Sequence, residues 1–173
     1  MKNMNIRDLR HILISFLLTL NSTVLAFGQF SHAKIGVNGM TCSACTKSVE
    51  TSLRKLPFVE SVIMNLENNS GEITFKKGQS ARIENIAKAI VDAGFSVRFL
   101  TAEYTFKEDN FSTSEYSENN YNFQFLRSKP KQKNCTLRFI GQKYQAKKEF
   151  TKYKTEFPEI DFKKENKYYV IPQ

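Results

Sequence analysis

Between Ala33 and Leu100 the apolar residues change period repeatedly, alternating in some stretches and recurring at helical spacing in others, and that succession admits few folds. Ala33 to Asn38 alternates as a half-buried strand does. A helix over about 45–55 follows, in which Val49, Leu53 and Leu56 share one face. Phe58 to Leu66 places Val62, Met64 and Leu66 on one side, Asn68-Asn69-Ser70-Gly71 reads as a turn, and Glu72 to Phe75 alternates again, which together predict an antiparallel hairpin. Ser80 is placed to cap a second helix, with Ile83, Ile86, Ala87 and Ile90 as its apolar stripe and Gly94 just past its end. Phe95 to Leu100 is a last strand. The order is βαββαβ, for which right-handed crossovers predict a four-stranded antiparallel sheet with both helices on one face.

The junction between the first strand and first helix reads Gly39-Met40-Thr41-Cys42-Ser43-Ala44-Cys45 and holds two of the chain's three cysteines. Cys45 falls in the first helical turn, where backbone N–H groups lack partners and the helix dipole is positive. Thiolates are favoured there, so the cysteine pKa is expected below the reference of ~8.5. A thiolate pair on a loop suits a soft metal. Cys135, far away in sequence, opens an alternating strand; it reads as a small apolar residue rather than a third ligand. His11 and His32, in the leader and on a flank, are not expected to bind metal.

Residues 1–28 read as a signal peptide. Lys2, Arg7 and Arg10 precede an apolar stretch from Ile12 to Leu20 that continues, interrupted by Asn21-Ser22-Thr23, to Phe27. Val24-Leu25-Ala26 and Ala26-Phe27-Gly28 both offer small-residue cleavage sites, the second leaving Gln29 first. A membrane anchor is the rival reading, but a span needs about 20 predominantly apolar residues and the polar run falls inside that window. No cysteine follows the apolar stretch until Cys42, which argues against a lipid-modified N-terminus. The expected location is therefore exported, in the periplasm or cell envelope. An oxidising compartment converts an idle cysteine pair to a disulfide, so the pair works only reduced or metal-loaded.

Residues 101–120 turn polar and read as a linker. Structure resumes over 121–173 as a small α+β module: Tyr121, Phe123 and Phe125 alternate, and Thr136 to Ile140 is a second strand. Tyr144 to Phe157 suggests a short helix, and Tyr168 to Ile171 a closing strand. About fifty residues make little core, so this module is expected to pack on the first. The formal net charge of +9 is spread along the chain rather than clustered, which reads mainly as a solvated surface. An anionic partner, such as a phospholipid headgroup, is the sharper reading of that charge; export argues against nucleic acid.

With the Gly39 to Cys45 motif after strand one and Asp92-Ala93-Gly94-Phe95 leading into strand four, residues 33–100 resemble the heavy-metal-associated domain. That family includes copper chaperones, modules of copper-exporting P-type ATPases and a small periplasmic mercury-binding protein. The resemblance implies an α+β, ferredoxin-like βαββαβ sandwich that holds metal on Cys42 and Cys45, with Met40 tucked under the loop as core and Thr41 exposed beside the ion. Phe95 groups the chain with the ATPase modules and the mercury protein, since cytosolic chaperones tend to carry lysine there. No acidic residue immediately precedes Cys42, which speaks against zinc.

The expected function is that of an exported carrier or scavenger of Cu(I), passing the ion by thiolate exchange with a metal-transporting P-type ATPase or another metal-binding protein, and catalysing no reaction. Hg(II) in the periplasm is the closest alternative. A thiol–disulfide oxidoreductase is a further one, since Cys-x-x-Cys at a helix start also serves that chemistry. Against it, thioredoxin-like sites set a proline against the cysteines, and this chain has none between Pro57 and Pro130. An RNA-recognition module shares the element order but needs aromatics on strands one and three, where this chain supplies only Phe75.

Overall fold

The computed structural model describes residues 29–118, 120–164 and 166–173; the expected signal peptide and His11 lie outside them. The elements are β1 (Gln29–Asn38), α1 (Ser43–Arg54), β2 (Val59–Asn65), β3 (Ser70–Phe75), α2 (Ile83–Asp92) and β4 (Ser96–Thr105). They continue with β5 (Glu115–Glu118), β6 (Tyr121–Phe125), β7 (Asn134–Ile140), α3 (Lys147–Glu156) and β8 (Tyr168–Pro172). All strands join one sheet in the order β2-β3-β1-β4-β7-β8-β6-β5. Its first four strands pair antiparallel in the ferredoxin-like arrangement that the βαββαβ order implies.

The register shows why the apolar alternation works. Ile35 stands opposite Leu100 and Ala33 opposite Ala102, and Ala102 in turn stands opposite Leu137 of β7. These side chains form one buried cluster with Val49 and Leu53 of α1 and Ile83, Ile86 and Ile90 of α2, so both helices cover the same face. Each fully buried aliphatic side chain contributes about 1.5–3 kcal/mol relative to exposure. The opposite face of the C-terminal strands is covered by α3, whose Tyr153 packs with Ile140, Tyr169 and Ile171 in a second cluster.

Two expectations need correction. Residues 101–105, read as the start of a linker, are the second half of β4, and 115–118 form β5. Their sequences look polar because only alternate residues turn inward. Ala102 and Tyr104 are buried, and so is Glu118, whose carboxylate accepts from the Lys107 backbone N–H and the Tyr116 hydroxyl. The C-terminal strands thus continue the first sheet: β7 pairs directly with β4, and Phe30 and Tyr104 pack edge-on against Tyr121 and Phe123 at centroid distances of 5.0–6.3 Å. Edge-on aromatic pairs add about 0.5–1.5 kcal/mol each beyond their area. The closing strand β8 sits between β7 and β6, antiparallel to one and parallel to the other.

The second correction concerns Ser80. The helix starts at Ile83 behind an extended Arg82 that makes no side-chain cap, and the Ser80 hydroxyl bonds the Tyr121 hydroxyl at 2.9 Å instead. Burial of Ala81 holds this segment extended up to the helix.

Candidate metal centre

The site begins where β1 runs out. Gly39 turns the chain at φ +91°, a conformation L side chains rarely adopt, and Met40 drops into the core at 2 % exposure. Thr41 and Cys42 are exposed beyond it. Cys42 is extended (φ −151°, ψ 164°) and caps α1, its Sγ accepting from the Cys45 backbone N–H at 3.4 Å. A cysteine thus takes the place that serine or aspartate usually fills, and no acidic residue occupies the first turn to compete for its dipole. Thr46 closes the turn, donating from both its N–H and its hydroxyl to the Cys42 carbonyl.

This arrangement brings the two sulfurs to 2.7 Å, both as free cysteines. Cys42 is exposed, while Cys45 is half-buried and packs against the core beneath the loop. The Cys45 thiol pKa is lowered from 9.0 to about 7, chiefly by the hydrogen bond from Cys42 and next by the Thr41 backbone, with burial opposing. The expected fall therefore occurs, and its main cause is the neighbouring thiol. One sulfur is half-buried and acidic, the other exposed at the helix cap; moved apart, they can hold a soft ion between them.

The rear of the loop is set by α2. Gly94 at φ +91° ends that helix in a Schellman turn, with the Phe95 N–H bonded to the Ile90 carbonyl and the Gly94 N–H to the Val91 carbonyl. Phe95 is thereby turned back against the core, and its ring comes within 3.6 Å of where a Gly39 side chain would begin.

The third cysteine is elsewhere. Asn38, which leads into the loop, stands opposite Ser96, whereas Cys135 stands opposite Tyr104 at the other end of β4. Eight residues of strand separate those positions, roughly 26 Å at ~3.3 Å per residue. Burial raises the Cys135 thiol pKa, and its Sγ points at the Thr136 and Gln173 carbonyls. His32, near the start of β1, pairs in register with Thr74, whose hydroxyl lies 3.5 Å from its Nδ1. Among the described residues, no group of three or more histidine, cysteine or acidic side chains could hold a metal ion. No described helix is long and apolar enough to cross a membrane.

Comparison with known proteins adds a family to this geometry. Residues 34–96 match the model of the heavy-metal-associated domain. The "Probable copper-transporting ATPase HMA5" of Arabidopsis thaliana is 38% identical over 73 residues, covering 42% of this chain and 7% of that protein. The chain thus spans only a small part of that relative. Among solved structures, the "CopZ metallochaperone" is 30% identical, with a TM-score of 0.37, over 39% of this chain and 98% of that one. Oxidized MerP from Ralstonia metallidurans CH34 is 32% identical, with a TM-score of 0.34, over 40% of this chain and 96% of that one.

Proposed function

We propose, from the premise that residues 34–96 belong to the heavy-metal-associated domain family, that this protein carries a soft metal ion, Cu(I) first, between Cys42 and Cys45. The observation that carries the reading is the sulfur pair itself: two free thiols 2.7 Å apart at a helix start, one exposed and one anchored. Copper-transporting ATPases among the relatives favour copper over other soft ions as the cargo.

Two thiolates leave a side of the ion open. An incoming thiolate from a donor or acceptor adds there, giving a three-sulfur intermediate. The exposed Cys42 then leaves first and Cys45 last, so the ion passes without release to water. Binding displaces thiol protons, and affinity therefore falls as the pH falls. The partner in this reading is a metal-transporting P-type ATPase or another metal-binding protein. Hg(II) is the alternative cargo, because the same two sulfurs, with no third ligand among the described residues, suit it equally.

X-ray absorption of the Cu(I) form tests the ligand set. Two sulfurs per copper, unchanged in Cys135→Ser, are expected; three sulfurs falling to two in that variant would put the C-terminal strands into the metal site.

The carrier works outside the cytoplasm in this reading, the leader being removed to leave a protein that starts near Phe27 or Gln29. Intact-mass analysis of envelope extracts checks it, and a full-length species confined to membranes would contradict it.

A further inference from the structure

A cleft of ≈ 1340 Å³ opens beside the start of α2, and most of its wall comes from the C-terminal half of the chain. The volume exceeds that of a typical small-ligand pocket, about 300–1,000 Å³. Its charge is one-sided. Among the described residues lining it, Arg82, Lys143, Lys163, Lys164 and Lys167 are cationic and only Glu84 is anionic.

The pairing inside the cleft sharpens that imbalance. The Glu84 carboxylate is engaged by the Arg82 guanidinium and by the Tyr168 hydroxyl, so it offers little free negative charge. Lys167 is taken up by Glu115 and Gln124. Lys143, Lys163 and Lys164 form no ion pair among the described residues. Lys143 lies on the β7–α3 connection and the other two on the α3–β8 connection, so their ammonium groups reach the cleft from two separate segments. Aromatic side chains line the same cleft: Tyr144, whose ring centre is 5.2 Å from the Lys143 Nζ, with Tyr168 and Phe162. Burial pushes the Tyr144 and Tyr168 phenols up, so they stay neutral at physiological pH.

We propose that this cleft binds a phosphate-bearing ligand of the glycerol phosphate class, as a free phosphoester or as the headgroup of an anionic phospholipid. Three ammonium groups that form no ion pair among the described residues match a phosphate, which presents several acceptor oxygens, better than a single carboxylate. The remaining volume and the tyrosine walls take the organic part of the ester. The site is independent of the cysteine loop and gives the C-terminal strands a binding role of their own.

The test uses the purified protein with glycerol 3-phosphate, and separately with vesicles of phosphatidylcholine containing about a third phosphatidylglycerol, both at physiological salt. The triple variant Lys143→Gln, Lys163→Gln, Lys164→Gln removes exposed charges only. Lys55→Gln, Lys77→Gln, Lys131→Gln serves as a control with the same charge loss away from the cleft. Saturable NMR shifts at residues 120–122 and 140–144 with the free ester, weakened at least tenfold by the cleft variant and not by the control, are expected for a soluble ligand. Vesicle cosedimentation with the same variant pattern, stronger than free-ester binding, assigns the headgroup. Absence of saturable binding to either probe, or equal losses in the two triple variants, would overturn the proposal.

Discussion

Cys42 caps the helix that carries Cys45, its sulfur lying 3.4 Å from the Cys45 backbone nitrogen and 2.7 Å from the Cys45 sulfur. One residue therefore ends the loop, satisfies a free N–H of the first turn and lowers the pKa of its neighbour. The helix start and the sulfur pair are one structure, and a change at Cys42 is felt at Cys45.

Alkylation against pH reads that coupling. The reduced protein should react at Cys45 with a midpoint near pH 7, the value to which its thiol is lowered. In Cys42→Ala the largest lowering interaction is gone, and the midpoint should rise toward the ordinary 9.0. Cys135, half-buried and raised by burial, should react last. Site-resolved mass spectrometry of iodoacetamide adducts follows all three; an unmoved Cys45 midpoint in Cys42→Ala would contradict the coupling.

Tyr168 and Glu84 tie the C-terminal strands to α2, and their bond sets an acid sensitivity. Burial pushes the Glu84 carboxyl up, but hydrogen bonds from Tyr168, its own backbone and Arg82 outweigh it and hold the pKa below the usual carboxylate value. Because the folded pKa is the lower one, this stabilisation is present above the unfolded value of about 4.3 and lost as pH falls through the folded value. Tyr168→Phe should lose about 1–2 kcal/mol at pH 7 and show a smaller further loss on acidification. Urea unfolding at pH 7 and pH 3 measures both, and equal pH dependence in the two proteins would remove Glu84 from the account.

Gly39→Ala should destabilise by about 1–2 kcal/mol, since a Cβ at positive φ is strained even where space allows it. The nearest atom to that Cβ is a Phe95 ring carbon at 3.6 Å, so the cost is conformational rather than a clash. Thermal unfolding checks it, and a variant as stable as the parent would show that the loop does not depend on the left-handed turn.

The cysteine loop and the βαββαβ core were legible because their signals are local. The period of Ile35, Val37, Val49 and Leu53 reports each element directly, and Cys45 reads as first-turn from the residues beside it. The rest depends on non-local partners. Glu118 looks like linker until the Lys107 N–H and the Tyr116 hydroxyl are seen against it, and nothing in Tyr168 to Ile171 says that the strand inserts between β7 and β6. Ser80 carries a capping residue's chemistry but meets Tyr121, forty-one positions away, first. The cationic cleft is assembled from segments that are separated in the chain, so its lysines read as dispersed surface charge.

Cu(I) competition under reducing conditions is the most direct test of the sulfur pair. The protein should withdraw one Cu(I) per chain from a chromogenic chelator, and Cys42→Ser with Cys45→Ser should abolish that withdrawal while Cys135→Ser leaves it intact. Undiminished competition by the double serine variant would show that the ion is held somewhere other than Cys42 and Cys45.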